Sequence, residues 1–126
     1  MIIGNGTDVV RVSRFGGADK PSFGRIFTEA EQEYIRGKGE GSGQTAAGLF
    51  AAKEAVVKSL GEGFGKIRPA DIEITHDDAG KPLVSLYNNA RLVADMKSVG
   101  MIHVSVSHDG EYAVAFAVAE NQTREG

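Results

Sequence analysis

The sequence predicts an α+β fold, with mostly antiparallel strands packed around one central helix. Three stretches carry that prediction. Residues 45–60 are rich in Ala, Leu and Lys, and Leu49, Ala52, Val56 and Leu60 recur at helical spacing. Ile72 and Ile74 alternate with polar neighbours, Asp77-Asp78-Ala79-Gly80 turns, and Leu83, Val84 and Leu86 follow, which is the pattern of a hairpin. Near the end, strands at about 102–107 and 112–119 flank Asp109-Gly110, a tight-turn pair.

The remaining elements follow in chain order. Met1-Ile2-Ile3 and Val9-Val10 flank Gly4-Asn5-Gly6, which predicts a short strand with an irregular backbone ending near Asp8. Phe27-Thr28-Glu29-Ala30-Glu31 opens a helix running to about Arg36: Thr28 can cap it, and Glu31, three residues on, can reach back. The alternating glycines of residues 37–43 cost too much backbone entropy for a helix and predict a mobile loop. Gly61 is placed to stop the central helix. Asn88 or Asn89 is expected to cap another helix carrying Leu92, Val93, Met96 and Val99, closed by Gly100. Residues 121–126 read as frayed, no repeat is visible, and 126 residues make one domain, 1–126.

Composition narrows the function classes. The chain is 41% hydrophobic and 25% charged, enough for one core under a wet surface. With 7% aromatics and no Trp, small apolar side chains must fill most of the interior, and self-association would help. Without Cys there is no disulfide, thiolate metal site or thiol nucleophile. The opening MIIGNGTD lacks a basic region before a long apolar run, and no stretch approaches the ~20 apolar residues of a membrane span, so the expectation is a cytoplasmic protein. A net charge of −3 argues against a general nucleic-acid binder. Residues 11–25 nevertheless hold Arg11, Arg14, Lys20 and Arg25 against Asp19 alone, a patch able to steer an acidic partner.

Several side chains are candidates for chemistry. Glu54 and Lys58 lie one turn apart on one helix face. That is the spacing of an ordinary helix ion pair worth about 0.2–0.5 kcal/mol, and equally of a metal-binding carboxylate beside a phosphate-binding ammonium. Asp8 would complete a carboxylate pair if its strand packs on that helix, and Mg²⁺ needs few protein carboxylates because water and substrate phosphate fill its other positions. His103, Ser105 and Ser107 share one strand face, while His108 sits at the mouth of the last turn. The absence of HExxH, GxxxxGK[ST] and GxSxG leaves zinc-protease, P-loop and α/β-hydrolase chemistry unsupported.

Three blocks in order are similar to the bacterial holo-acyl carrier protein synthases, the small class of phosphopantetheinyl transferases. They are Gly6-Thr7-Asp8 with Arg14 after it, the run FAAKEAVVKSLG from Phe50 to Gly61, and HVSVSH from His103 to His108. Phe27-Thr28-Glu29 and Gly80-Lys81-Pro82 match weaker positions, so the resemblance extends over residues 2–119. It implies the family's 4'-phosphopantetheinyl transferase fold, a homotrimer with sites at subunit interfaces, and a setting in fatty acid biosynthesis. It also implies transfer of phosphopantetheine from coenzyme A to a serine of an acidic acyl carrier protein, with 3',5'-ADP leaving. By the same resemblance Asp8 and Glu54 match Mg²⁺ ligands, Lys58 and His108 contact substrate phosphates, and Arg14, with Arg25 near it, faces the carrier. The serine proton is left to Glu54 or to water at the metal.

This chain departs from the family's usual residues at Leu49, where Arg is common, at Asp109, where Ser or Thr is common, and at Asn5, usually apolar. Leu49 and Asp109 motivate an alternative: a paralogue that binds a carrier or coenzyme A with little transfer.

Overall fold

The computed structural model describes residues 1–15 and 23–121. Lys20 and Asp19 of the basic segment lie outside them, as does the tail expected to fray, except for Asn121. The expected α+β order is present, in two separate antiparallel sheets around a central helix.

The first strand, β1 (Ile2–Arg11), is ten residues long rather than a short piece ending at Asp8. Its only irregularity is a register shift between Ile2 and Gly4. The glycines serve contact instead: a methyl group at Gly6 would collide with the Ala55 carbonyl, and one at Gly4 with the Ser59 carbonyl. Their absence of side chain lets the central helix lie directly on β1.

Between β1 and the core helix come a 3-10 turn (Val12–Phe15), α1 (Phe23–Ile26) and α2 (Glu29–Arg36). The predicted capping box of α2 is present, with Thr28 Oγ1 accepting from Glu31 N and Glu31 Oε1 accepting from Thr28 N. The glycine-rich segment is more ordered than a loop. A 3-10 turn at Gly39–Gly41 leads straight into α3 (Ser42–Ser59), so the helix starts three residues before Thr45. It stops as expected at Gly61, φ +73°, where Gly61 N and Glu62 N donate back to the Lys58 and Val57 carbonyls.

The hairpin is β2 (Ile72–His76) with β3 (Pro82–Leu86), and Asp77 Oδ1 ties its turn by accepting from Ala79 N and Lys81 N. The next helix, α4 (Asn88–Met96), begins without a side-chain cap. Asn88 has φ +50° and donates to Asp71 Oδ1 at 3.0 Å, and Asn89 donates to the Lys66 carbonyl, so neither asparagine caps. The helix ends at Met96, before Gly100, with Ser98 taking a positive φ. Finally β4 (Met101–Asp109) and β5 (Tyr112–Glu120) pair through a two-residue turn, Gly110-Glu111, one position later than expected.

The larger sheet has the order β1-β5-β4. Across it Asp8 pairs with Ala115 and Ala115 with Val106, while Val10 pairs with Ala113 and Ala113 with His108. Its inner face is a row of alanines, 113, 115, 117 and 119, buried under α3. Four of the aromatics gather beside α3: Phe15, Phe23, Phe27 and Phe50 form one cluster with centroid spacings from 4.8 to 6.4 Å. Among the described residues nothing covers the outer face of the sheet, which exposes Val9 (59%), Tyr112, Val114 and Phe116.

Candidate active site

The contact of β1 with α3 brings together residues fifty positions apart. Lys58 Nζ donates to Asp8 Oδ1 at 2.9 Å and to the Thr7 carbonyl at 3.0 Å. Glu54, one turn earlier on α3, lies beside them. Its carboxyl is pushed up from the usual range first by burial and then by the Asp8 carboxylate, to which it also hydrogen-bonds; Lys58 and Arg14 pull the other way. Arg14 closes the group, its guanidinium 5.3 Å from the centre of the Phe50 ring. Two carboxylates in one half-buried place repel each other, and that is the environment a cation relieves. The donor set suits Mg²⁺, which takes oxygen ligands and leaves several positions to water and phosphate. Among the described residues no group of three or more His, Asp or Glu side chains forms a cage, so further ligand oxygens must come from elsewhere.

His108 is not with them. It ends the inner face of β4, where Nε2 donates to the Gln44 carbonyl at 3.0 Å and the ring lies over Gly48, with no room for a side chain at that position. Asp8 is two strands away in the sheet, a lateral separation of roughly 10 Å. Among the described residues no hydrogen bond or ion pair links His108 to Asp8, Glu54 or Lys58.

His108 instead borders a cleft of ≈ 410 Å³ between α2, α3 and the β2–β3 turn, whose lining includes Tyr34, Lys38, Gly48, Leu49 and His76. Leu49 is buried at 4% exposure in its floor, so the departure from Arg lies in this cleft and in the core. A larger groove of ≈ 540 Å³ runs between β3, β4 and α4, apart from all of these side chains except for His103 on its rim.

Arg25 is exposed on α1 and Arg14 on the preceding 3-10 turn. His103 pairs with Glu120 at 2.7 Å, and Ser105 and Ser107 share its outer sheet face. Asp109 is exposed at the end of β4.

Sequence reasoning gave no role to Lys53. Its side chain is fully buried, paired to Glu31 at 2.7 Å, and it donates to the Pro69 and Ile72 carbonyls. Glu31 in turn accepts from Ile74 N at 2.7 Å, so one ion pair joins α2, α3 and β2. The signal was present as a lysine inside an otherwise apolar helical run, since a buried lysine requires a partner.

Known proteins agree with the resemblance. The profile of the 4'-phosphopantetheinyl transferase superfamily matches residues 4–117. A holo-[acyl-carrier-protein] synthase of Alkaliphilus metalliredigens is 44% identical over 94% of this chain and 99% of its own length. Among solved structures, the holo-[acyl-carrier-protein] synthase of Neisseria meningitidis superposes with a TM-score of 0.84 at 32% identity, over 96% of this chain and all of that one. That of Bacillus anthracis in complex with CoA (3',5'-ADP) superposes with 0.81 at 36% identity, over 97% and 99% of the two chains. The chain belongs to the 4'-phosphopantetheinyl transferase superfamily, and it is an enzyme of that class.

Proposed function

We propose that the protein transfers the 4'-phosphopantetheine of coenzyme A to a serine of an apo acyl carrier protein and releases 3',5'-ADP. The observation that carries this reading is the convergence of Asp8, Glu54 and Lys58 at the β1–α3 contact. A serine oxygen forms a bond to the β-phosphorus of coenzyme A, the bond from that phosphorus to the α-phosphate oxygen breaks, and the adenosine bisphosphate carries away the electron pair.

Each residue then has a task. Asp8 and Glu54 would hold Mg²⁺, which supplies charge neutralisation at the pyrophosphate. Lys58 takes the negative charge that develops on the transferring group. In the free protein Asp8 engages it, so its ammonium is already held at the site rather than recruited from solvent. The serine proton is left to Glu54 or to water beside it. Arg14 and Arg25 face the acidic carrier.

His108 contributes to phosphate binding from a second copy of the chain. Its distance from the carboxylates within one chain, and the uncovered apolar strip Val9, Val114 and Phe116, both support a homotrimer whose sites span subunits. Burying that strip removes apolar area at about 25 cal/mol per Å².

The test is a mass measurement. Apo carrier incubated with the protein, coenzyme A and Mg²⁺ gains one phosphopantetheine, and excess chelator stops the gain. A carrier that binds but gains no mass would turn the reading to a docking paralogue. Light scattering should give the mass of three 13.3 kDa chains; an active monomer contradicts the shared site.

A further inference from the structure

Lys58 makes a contact in this structure that the transfer step does not require. Its ammonium donates to Asp8 Oδ1 at 2.9 Å and to the Thr7 carbonyl at 3.0 Å. A cation of the protein's own therefore engages a carboxylate that suits a divalent ion. The stem of the lysine is fixed as well. A methyl carbon added at Gly6 would come within 2.6 Å of Lys58 Cβ, so the stem leaves α3 directly against β1 and its ammonium ends on Thr7 and Asp8. Side-chain exposures of 52% for Lys58 and 15% for Asp8 leave the ammonium open to solvent while the carboxylate is sheltered.

The formal charges of the site balance within the protein. Asp8 and Glu54 carry two negative charges when both are ionised, and Lys58 and Arg14 bring two positive charges to bear on Glu54. A dication entering alone makes this neutral group strongly positive. Two cations sharing one carboxylate repel each other, and at roughly 4–5 Å a double and a single positive charge lose on the order of tenfold in affinity even at the dielectric of water. A diphosphate brings negative charge that restores the balance. It also offers Lys58 acceptor oxygens away from Asp8, and the flexible four-carbon stem lets the ammonium move to them.

We infer that Lys58 is a resident counter-ion on Asp8, which weakens the binding of a divalent ion on its own and yields the carboxylate when the diphosphate of coenzyme A arrives. The inference rests on the proposed transferase reading and deepens it. Lys58 then sets the coupling between ion and coenzyme A, in addition to its contact with the transferring group. By linkage each ligand strengthens the other by the same factor. A carboxylate pair without Lys58 would hold the ion whether or not coenzyme A was present.

The experiment measures binding rather than turnover. Mn²⁺ is titrated into wild type, Lys58→Met and Lys58→Gln, and free ion is counted by electron paramagnetic resonance, first alone and then with coenzyme A but no carrier. Arg91→Gln, which removes one positive charge from the exposed Arg91–Asp95 pair on α4, is the charge control. Wild type binds the ion about tenfold or more tighter with coenzyme A than without it. In Lys58→Met the ion alone binds about tenfold tighter than in wild type, and coenzyme A adds correspondingly less. Lys58→Gln follows Lys58→Met, while Arg91→Gln stays within about twofold of wild type because its charge is distant and screened. Asp8→Asn added to Lys58→Met removes the gain. Lys58 variants that are folded by circular dichroism and bind the ion alone no tighter than wild type overturn the inference. So does an Arg91→Gln protein that gains as much, or a gain that survives Asp8→Asn. None of these results touches the transferase reading, which the mass gain of the carrier tests separately. A wild type that takes up no ion even with coenzyme A overturns the metal assignment and the inference together.

Discussion

Lys53 and Glu54 are neighbours in sequence and opposites in environment. Lys53 points from α3 toward α2 and β2, fully buried, its charge met by Glu31 and by two backbone carbonyls. Glu54 points toward β1 into a half-open site where the nearest group, Asp8, carries the same charge. Among the described residues every buried polar side-chain atom has a hydrogen-bond partner. Burial holds the Lys53 ammonium below its ordinary range while Glu31 pulls it back up, whereas at Glu54 burial and the Asp8 carboxylate push in the same direction. A buried charge opposed by a counter-charge joins the elements around it, and a carboxylate held beside a like charge is available for a cation.

The contrast can be broken most strongly at Lys53. Lys53→Ala leaves Glu31 buried without its counter-charge and should cost about 3–5 kcal/mol of stability, read from urea denaturation. The double variant Lys53→Met with Glu31→Gln should recover a large share of that loss, since neither group then carries charge. A Lys53→Ala protein that unfolds at the wild-type urea concentration would remove the structural half of the contrast.

At the other face the expected effects reverse. Asp8→Ala and Glu54→Gln should each lower turnover by about 10²–10³-fold or more. Stability should not suffer. The raised carboxyl pKa of Glu54 means that the fold disfavours its charged form, so above that pKa ionised Glu54 costs stability, and removing the charge removes the cost. Glu54→Gln should therefore melt no lower than wild type in chelator at neutral pH. A marked loss of melting temperature would make Glu54 structural after all.

A smaller effect is expected at Arg14. Arg14→Glu should raise the carrier KM by about tenfold and leave the coenzyme A KM nearly unchanged. Added salt should weaken wild type more than the variant, because screening acts on an attraction that the variant has lost. Equal salt responses in the two proteins would detach Arg14 from carrier docking.

The smallest effect concerns His76. Its pKa is lowered in the fold by burial and by Lys38, against the opposing pull of Asp77. As pH falls below the ordinary histidine value of about 6.5, the unfolded chain takes the proton first, so stability drops until the folded value is reached. His76→Gln should flatten that part of the melting curve against pH, and an unchanged slope would mean that the ring is solvated.

What the sequence determined by itself was local. The α+β class, the Thr28–Glu31 capping box, the end of α3 at Gly61, and the β2–β3 and β4–β5 hairpins all follow from spacings within a few residues. The motif blocks likewise marked Asp8, Glu54, Lys58 and His108 as candidates. Tertiary structure alone decided which of them meet. Asp8 reaches Lys58 because Gly4 and Gly6 let α3 settle on β1, and His108 is carried to the far side of the helix because β5 lies between β1 and β4. The burial of Lys53, the loss of a capping role at Asn88 to the side chain of Asp71, and the stacking of Tyr34 on His76 were equally out of reach. Periods of 3.6 and 2 say which side chains share a face, but not which distant face they will meet. That depends on strand order, register and the close approach of one element to another, which no short stretch of chain contains.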